Sequence, residues 1–455
     1  MNLSERLENQ KKFYQEGWTS DLTYRKETLK RLKTVIKRYE YDVMDALYED
    51  LGKTDMESYA SEIGLVYEEI NYMLKHIDRL AKPEYVIPSI ANFPSTGRIL
   101  KEPYGQVLIM APWNYPFQLC LIPLIGAVAA GNCAVVKPSN YAPAVAEVVD
   151  DIIYEAFDEN HVFVIRGGRE ANKYLLSHKF DYIFFTGGKE VGNTVMRAAA
   201  ENLTPVTLEL GGKSPCIVDQ TADIALSARR IVWGKFLNCG QTCVAPDYIY
   251  VHKKVKEEFL EAVVRNIEAL YGEDPLNSKD LGKIINEKHF NRLSAMIKDT
   301  PLYYGGQTDP ERLKIAPAVI DNADWSVPAM QEEIFGPVMP VLEFENINEV
   351  IHEIKKRPVP LALYLFTRSP QAEKTVLTQV PFGGGCVNDT IMHLVSSSMP
   401  FGGKGESGMG QYHGKHSFST FSHNKSILKK SLRIDLPMRY PPYSESLALL
   451  KLFFH

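Results

Sequence analysis

The sequence predicts an α/β protein built on two parallel sheets, preceded by helices and joined by an extended arm. Three observations carry that prediction. From residue 105 short apolar runs alternate with helical stretches, the pattern of a parallel sheet with helices on its faces. Beyond Gly211 the alternation starts again, which reads as a second α/β domain. The chain has 455 residues, and at roughly 100–200 residues per domain that length holds two or three.

Each element has its own signal. Residues 1–82 read as helices: Leu32, Val35, Ile36 and Tyr39 recur at helical spacing, as do Met44, Leu47, Tyr48 and Leu51 before the stop at Gly52. A longer stripe, Ile63, Tyr67, Ile70, Leu74 and Ile77, runs to Pro83. Residues 84–101, with Pro88, Pro94 and Gly97, read as an extended arm. Strands are expected at 106–111, 134–136, 162–165, 182–185 and 206–210, with helices at 142–157 and 191–203. The restart places strands at 214–218 and 248–251 and helices at 224–236 and 254–270.

Composition narrows the function. A hydrophobic content of 45% and a charged content of 24% belong to a folded globular chain and exclude disorder over most of it. The net charge of −5 offers no general attraction to nucleic acid or to an anionic membrane. Six cysteines are too few for a disulfide-stapled scaffold, so reduced thiols and a cytoplasmic location are expected. The first twelve residues mix charges and lack the apolar core of a signal peptide. The run 117–136 approaches the length of a membrane span, but Gln118, Pro123, Gly126, Gly131 and Asn132 interrupt it. It reads as a buried helix followed by a buried strand, with no integral membrane segment. The apolar stretch 447–454 is too short to span and can at most touch a lipid surface or a partner subunit.

Four segments can carry chemistry. Segment 236–243, Phe-Leu-Asn-Cys-Gly-Gln-Thr-Cys, joins a helix to a strand, where free backbone N–H groups would lower the pKa of Cys243 and bind a developing oxyanion. A buried structural thiol is the other reading. A metal or redox pair with Cys239 lacks the second ligand pair that zinc spacing requires. Glu209 lies in an apolar run before Gly211 and Gly212, where an isolated carboxylate is costly unless protonated, paired or functional. A raised pKa would suit it to general base work; local amides satisfying it is the alternative. Asn114, between Pro112 and Pro116, either aims its amide at a reacting oxygen or closes a turn.

The fourth segment, 185–192, reads strand, glycine turn, helix, which points helix N-terminal amides at a phosphate. Gly403, Gly405 and Gly408 match the G-x-G-x-x-G dinucleotide spacing, yet no strand stands immediately before them, so they are rejected as a cofactor loop. His413, His416 and His423 cluster without metal-ligand spacing. They read as surface or interface residues, and no metal site is expected.

Together these motifs resemble the aldehyde dehydrogenase superfamily, in particular its class 3 branch of fatty and aromatic aldehyde dehydrogenases. The matching segments are 112–116, Lys137-Pro138, 208–213, 238–243, 332–337, 400–403 and 407–418. The resemblance implies a Rossmann-like dinucleotide-binding domain (102–210, with the helices of 1–82), an α/β catalytic domain (211–423) and a small oligomerisation arm and tail (83–101 and 424–455). It implies Cys243 as nucleophile, Glu209 as general base, and Asn114 with the Cys243 backbone N–H as oxyanion hole. For an NAD or NADP cofactor it implies Lys137 at the adenosine ribose, Gly187, Gly188, Lys189, Glu190, Val191 and Gly192 against the pyrophosphate, Glu333 at the nicotinamide ribose and Phe335 beside the nicotinamide. The substrate would be a small-molecule aldehyde, and the assembly a homodimer.

Two positions depart from the family pattern. Cys239 stands where alanine is frequent, and Asn140 stands where many NAD-specific members carry glutamate. A coenzyme-A-acylating dehydrogenase or acyl reductase on the same fold is an alternative against which Glu209 argues, because acyl transfer to a thiol needs no water-activating base. A non-enzymatic binding or structural protein is another, against which the intact Cys243, Asn114 and Glu209 argue.

Overall fold

The computed structural model describes residues 3–443 together with Leu447 and Lys451; apart from those two, the apolar stretch 447–454 lies outside the described residues. The first 80 residues fold as helices because each has an apolar stripe and a stop. In Leu22–Arg38 the buried Leu29, Leu32, Val35 and Ile36 line one face, and Asp21 caps the helix by accepting from Thr23 N at 2.8 Å. Glu40–Leu51 ends at Gly52, whose φ of 68° a side chain would disfavour. One feature departs from the expected regular stripe. Between Asp55–Ser58 and Gly64–Leu80 the chain makes a π-helical turn, Tyr59–Ile63, closed by Gly64 N–H donating to Tyr59 O.

The next 130 residues build a six-stranded sheet in the order Gly408–Met409, Val206–Glu209, Tyr182–Thr186, Gln106–Met110, Cys133–Lys137, Val162–Val164, its first strand being added from far along the chain. All neighbours are parallel except the edge strand Gly408–Met409, which pairs antiparallel with Glu209 and Leu208. Winding reverses beside Gln106–Met110, so the loop after Met110 and the turn after Thr186 leave the same sheet edge side by side. Such a switch point is where doubly wound sheets open a crevice for ligands. The apolar run after Phe117 becomes the fully buried helix Gln118–Ala130, a stop at Gly131 and the buried strand Cys133–Lys137, as its sequence predicts. No helix among the described residues is long and apolar enough to cross a membrane.

A second, seven-stranded sheet runs in the order Tyr304–Gly305, Ala318–Ile320, Val338–Phe344, Tyr248–His252, Pro215–Val218, Ala362–Phe366, Gly384–Val387. It is parallel except at Tyr304–Gly305. Tyr248–His252, Pro215–Val218 and Ala362–Phe366 are buried along their whole length, the continuous apolar pattern that helix-covered parallel strands require. The third sheet is the arm: Ser95–Pro103 lies between Glu84–Val86 and Ser422–Lys430, antiparallel to both. Tyr85, Ile87, Ile90 and Phe93 are exposed there.

Candidate active site

Helix Ile224–Phe236 delivers the cysteine loop, and the loop turns through two strained residues. Asn238 (φ 52°) and Cys239 (φ 53°) are both left-handed, a conformation that costs non-glycine residues of the order of 1 kcal/mol or more each. Side-chain amides hold that turn. Asn238 Nδ2 donates to Asn114 O at 2.7 Å and to Gln241 O at 3.2 Å, while Gln241 Nε2 donates to Asn238 O and Lys283 O. Gln241 Oε1 accepts from Ile285 N. Gly240 passes so close to Gly336 that a Cβ would lie 2.3 Å from its carbonyl oxygen. The loop bearing the cysteine and the loop bearing Glu333 are therefore packed backbone to backbone.

Asn114 approaches from the other sheet, in the loop after Gln106–Met110. It is buried and donates from Nδ2 to Gln241 O at 3.0 Å, which engages one amide hydrogen and leaves the second. Asn114 thus lies against the cysteine loop, although 127 residues separate it from Gln241. Glu209, at the end of Val206–Glu209, is 2% exposed and neither carboxylate oxygen has a hydrogen-bond partner. Burial alone raises its pKa well above the usual carboxylate range. Local amides do not satisfy either oxygen.

Glu333 is also buried, with Oε1 unpartnered, and burial followed by the Asp247 charge pushes it up to about 8. Its carboxylate lies against Gly211, where a Cβ would fall 2.2 Å from Oε2. Asp247 Oδ1 accepts from Ile334 N at 2.9 Å, and Lys213 ties the same loop by pairing with Asp247 and donating to Ala329 O and Glu332 O. Phe335, at φ 49°, meets the Trp113 ring edge to face at 5.3 Å.

Cys243 corrects one expectation. Its own N–H and that of Val244 lower the thiol pKa, but burial first, then the Glu333 and Glu209 charges, outweigh them and push it up to about 12. The surroundings of Cys243 therefore favour the thiol over the thiolate, opposite to the expected direction.

Residues expected to meet a dinucleotide gather at the switch point. Lys137 ends its strand, buried, donating to Pro138 O at 2.7 Å. Gly188 begins helix Lys189–Glu201 without a side-chain cap, and nothing would meet a Cβ there within 4 Å. Thr186 Oγ1 beside it is buried without a partner. Glu190 and Val191 are exposed, while Gly192 packs on Leu210. An open helix N-terminus and two orphaned oxygens, Thr186 Oγ1 and Glu333 Oε1, fit a phosphate and a ribose hydroxyl respectively.

Several wall residues escaped sequence reasoning. Cys243 opens onto a cavity of about 630 Å³ lined mainly by apolar groups, among them Leu119, Tyr115, Trp233, Leu237, Ile391, Phe401 and Tyr412. Thr242 Oγ1 and Tyr115 OH are 2.6 Å apart on that wall. His413 also lines it, which overturns its reading as a surface residue: the turn at His413 (φ 80°) and Gly414 (φ 52°) drives it inward against Phe401. The buried Glu69 holds this turn, both carboxylate oxygens accepting from Gly414 N at 2.9 and 3.0 Å. His423 is exposed and His416 partly so. The rejected glycine motif forms the edge strand beside Glu209, where glycines allow close approach to Leu208 O.

Comparison with known proteins agrees with this constellation. The pattern of the aldehyde dehydrogenase family matches residues 5–427. The chain is 47% identical over 457 residues to 4,4'-diaponeurosporen-aldehyde dehydrogenase of Staphylococcus aureus, covering 100% of both chains. It is 43% identical to human aldehyde dehydrogenase family 3 member B1, covering 97% of this chain and 95% of that one. A solved structure described as the substrate-bound state of Staphylococcus aureus AldH superposes with a TM-score of 0.98 at 46% identity, over 100% of both chains. Solved structures with this fold include complexes with NAD+. With its thiol, its unpartnered carboxylate and its amide converging from two sheets, the chain belongs to the aldehyde dehydrogenase family.

Proposed function

We propose that this protein oxidises an apolar aldehyde to the carboxylic acid, with NAD+ or NADP+ as electron acceptor and Cys243 as the covalent nucleophile. The observation that carries the reading is Cys243 on the wall of an apolar cavity, facing a buried, unpartnered Glu209. The cavity accepts a hydrocarbon body and leaves the carbonyl at the thiol.

The thiol proton passes to a facing carboxylate, and the sulfur attacks the carbonyl carbon. The free amide hydrogen of Asn114 and the Cys243 N–H hold the resulting oxyanion. The bound nicotinamide supplies the hydride acceptor. Lys137, the turn at Gly187 and Gly188, Lys189, Glu190, Val191, Gly192, Glu333 and Phe335 would hold the cofactor. Loss of hydride leaves a thioester on Cys243. Glu209 takes a proton from water, the hydroxide adds to the thioester, and the carbon–sulfur bond breaks to release the acid and the thiolate. An unpartnered buried carboxylate suits this step, because its raised pKa makes it a stronger base than an exposed one. Glu333, whose carboxyl burial pushes up to about 8, is the stand-in if Glu209 does not face the water.

Further readings go with it. The six cysteines are free, which supports a reducing, cytoplasmic setting. The exposed apolar side chains of the arm sheet support a homodimer formed through it. The test is a panel of aldehydes of increasing chain length, assayed with NAD+ and NADP+ and with or without coenzyme A. Acid and reduced cofactor in 1:1 ratio are expected, with kcat/KM rising with chain length. Absence of reduced cofactor with every aldehyde, or a thioester product with coenzyme A, would overturn the proposal.

A further inference from the structure

The buried ion pair Lys53–Glu62 stands apart from the reacting groups, and stability does not account for it. Both side chains are 0% exposed, with Lys53 Nζ 2.5 Å from Glu62 Oε1. Taking two such charges out of water costs several kcal/mol per ion, and a packed apolar pair of similar volume is often as stable or more so. The pair reaches the backbone of one loop instead. Lys53 Nζ also donates to the Asn114 carbonyl at 3.2 Å and stands over the Tyr115 ring, 4.1 Å from its centre. Glu62 Oε2 accepts from Phe117 N at 2.9 Å and Gln118 N at 3.2 Å. The loop is thereby gripped at three backbone groups around residue 114.

The same short segment grips the facing loop. Glu57 Oε1 accepts from the backbone N–H of the strained Asn238 at 2.8 Å, and Asn238 Nδ2 donates to the Asn114 carbonyl that Lys53 also holds. One stretch, from Lys53 to Glu62, therefore touches both the loop that carries Asn114 and the loop that carries Cys243. The π-helical turn Tyr59–Ile63 supplies the reach. An α-helix advances 100° per residue, so one extra residue in a turn rotates the helix before it by about that angle against the helix after it. Glu62 is thus fully buried next to Ile63, while Val66, Ile70 and Met73 continue the apolar face.

We infer that Lys53 and Glu62 are positioning residues for the oxyanion site: the pair fixes the loop that aims the Asn114 amide at the oxygen on which charge develops. The inference rests on the aldehyde-oxidising reading given above. An error of about 1 Å in such a donor can cost a hundredfold in rate, whereas the hydrogen bonds of the pair itself go to the Asn114 loop and not to Cys243.

The test compares wild type with Lys53→Arg, Glu62→Gln and the double variant Lys53→Met/Glu62→Gln. The double variant removes both charges of the pair and keeps a side-chain oxygen for the Phe117 and Gln118 amides, so it remains informative if a single variant fails to fold; Glu57, which also sits beside the Lys53 charge, is the one carboxylate it deprives of a counter-charge. Two cofactor-free reactions of Cys243 are followed: acylation by a p-nitrophenyl ester, which passes through an oxyanion, and alkylation by iodoacetamide, which does not. Aldehyde oxidation is measured in parallel. The expected result for Glu62→Gln and the double variant is acylation and kcat reduced roughly tenfold to a hundredfold, with alkylation and aldehyde KM within about twofold to threefold. Lys53→Arg recovers part of the loss. Acylation unchanged in the double variant, or acylation and alkylation falling together, overturns the inference while leaving the proposed function standing. A wild type that alkylates but neither acylates nor oxidises any aldehyde overturns both.

Discussion

Replacing Glu69 by glutamine tests how the turn at His413–Gly414 is held. Glu69 is 3% exposed, and its carboxylate accepts from Gly414 N, with Ser417 as a further hydrogen-bond partner. Burial nonetheless pushes it from 4.5 up to about 7. A carboxyl whose folded pKa exceeds its unfolded value binds more protons when folded between the two. Its stabilising effect is complete below pH 4.5 and is lost as pH rises towards 7. The rise from 4.5 to about 7 corresponds to about 3 kcal/mol lost above pH 8, of which about 1 kcal/mol is already lost at pH 5. Glutamine has no such titration and keeps an oxygen for Gly414 N, though one of its new N–H groups lacks a partner. Wild-type stability in urea should therefore fall about 2 kcal/mol further than that of Glu69→Gln between pH 5 and pH 8. The aldehyde KM at pH 8 should change in the same comparison, because Tyr412 and His413 on the cavity wall hang from this turn. Parallel pH profiles for the two proteins would refute the argument.

Cys243→Ala should abolish aldehyde oxidation while cofactor affinity, measured by fluorescence titration, stays within about threefold; activity within tenfold of wild type would exclude the thiol as nucleophile. Glu209→Gln should slow deacylation more than hydride loss, giving a burst of reduced cofactor and a thioester visible by mass spectrometry. A burst in Glu333→Gln and none in Glu209→Gln would exchange the two roles. Asn140 is exposed in the loop after Cys133–Lys137, near Gly168, and carries no charge against a 2′-phosphate. A glutamate about 5 Å from that phosphate repels it by roughly 3 kcal/mol at an effective dielectric of 20. Asn140→Glu should thus move the NAD/NADP ratio of kcat/KM about tenfold towards NAD once solvent halves that figure; an unchanged ratio would remove Asn140 from cofactor choice.

Strands and punctuation were legible in the sequence where local chemistry decides them. Helix Ile224–Phe236 has the span its pattern predicts, and the expected strands fall within a residue or two of the observed ones. Asn114, Glu209 and Cys243 stand out because proline or glycine beside a chemically capable group is a local signal. The π-helical turn left no such signal, since it lies at the start of the apolar stripe and includes only Ile63 of the residues that define it. Lys53, Glu62 and Glu69 were invisible for a different reason. The backbone groups they hold are distant in sequence, 61 residues away for Lys53 and Asn114 and 345 for Glu69 and Gly414, and an acidic or basic residue on a helix resembles any solvated one. The sign of the Cys243 shift failed for the same cause: loop amides can be inferred locally, whereas the burial of the thiol, and after it the Glu333 and Glu209 charges, come from parts of the chain distant in sequence.

The edge strand Gly408–Met409 has a consequence for how the molecule comes into being. It closes the open side of Val206–Glu209, yet ribosomes deliver it far later than the strand it covers. Until then the strand that bears Glu209 presents unpaired amides and carbonyls, the kind of edge that invites another nascent chain. The wall formed by Phe401, Tyr412 and His413 is missing for the same interval. A chain cut short before Gly408 would keep that edge open and lack this wall.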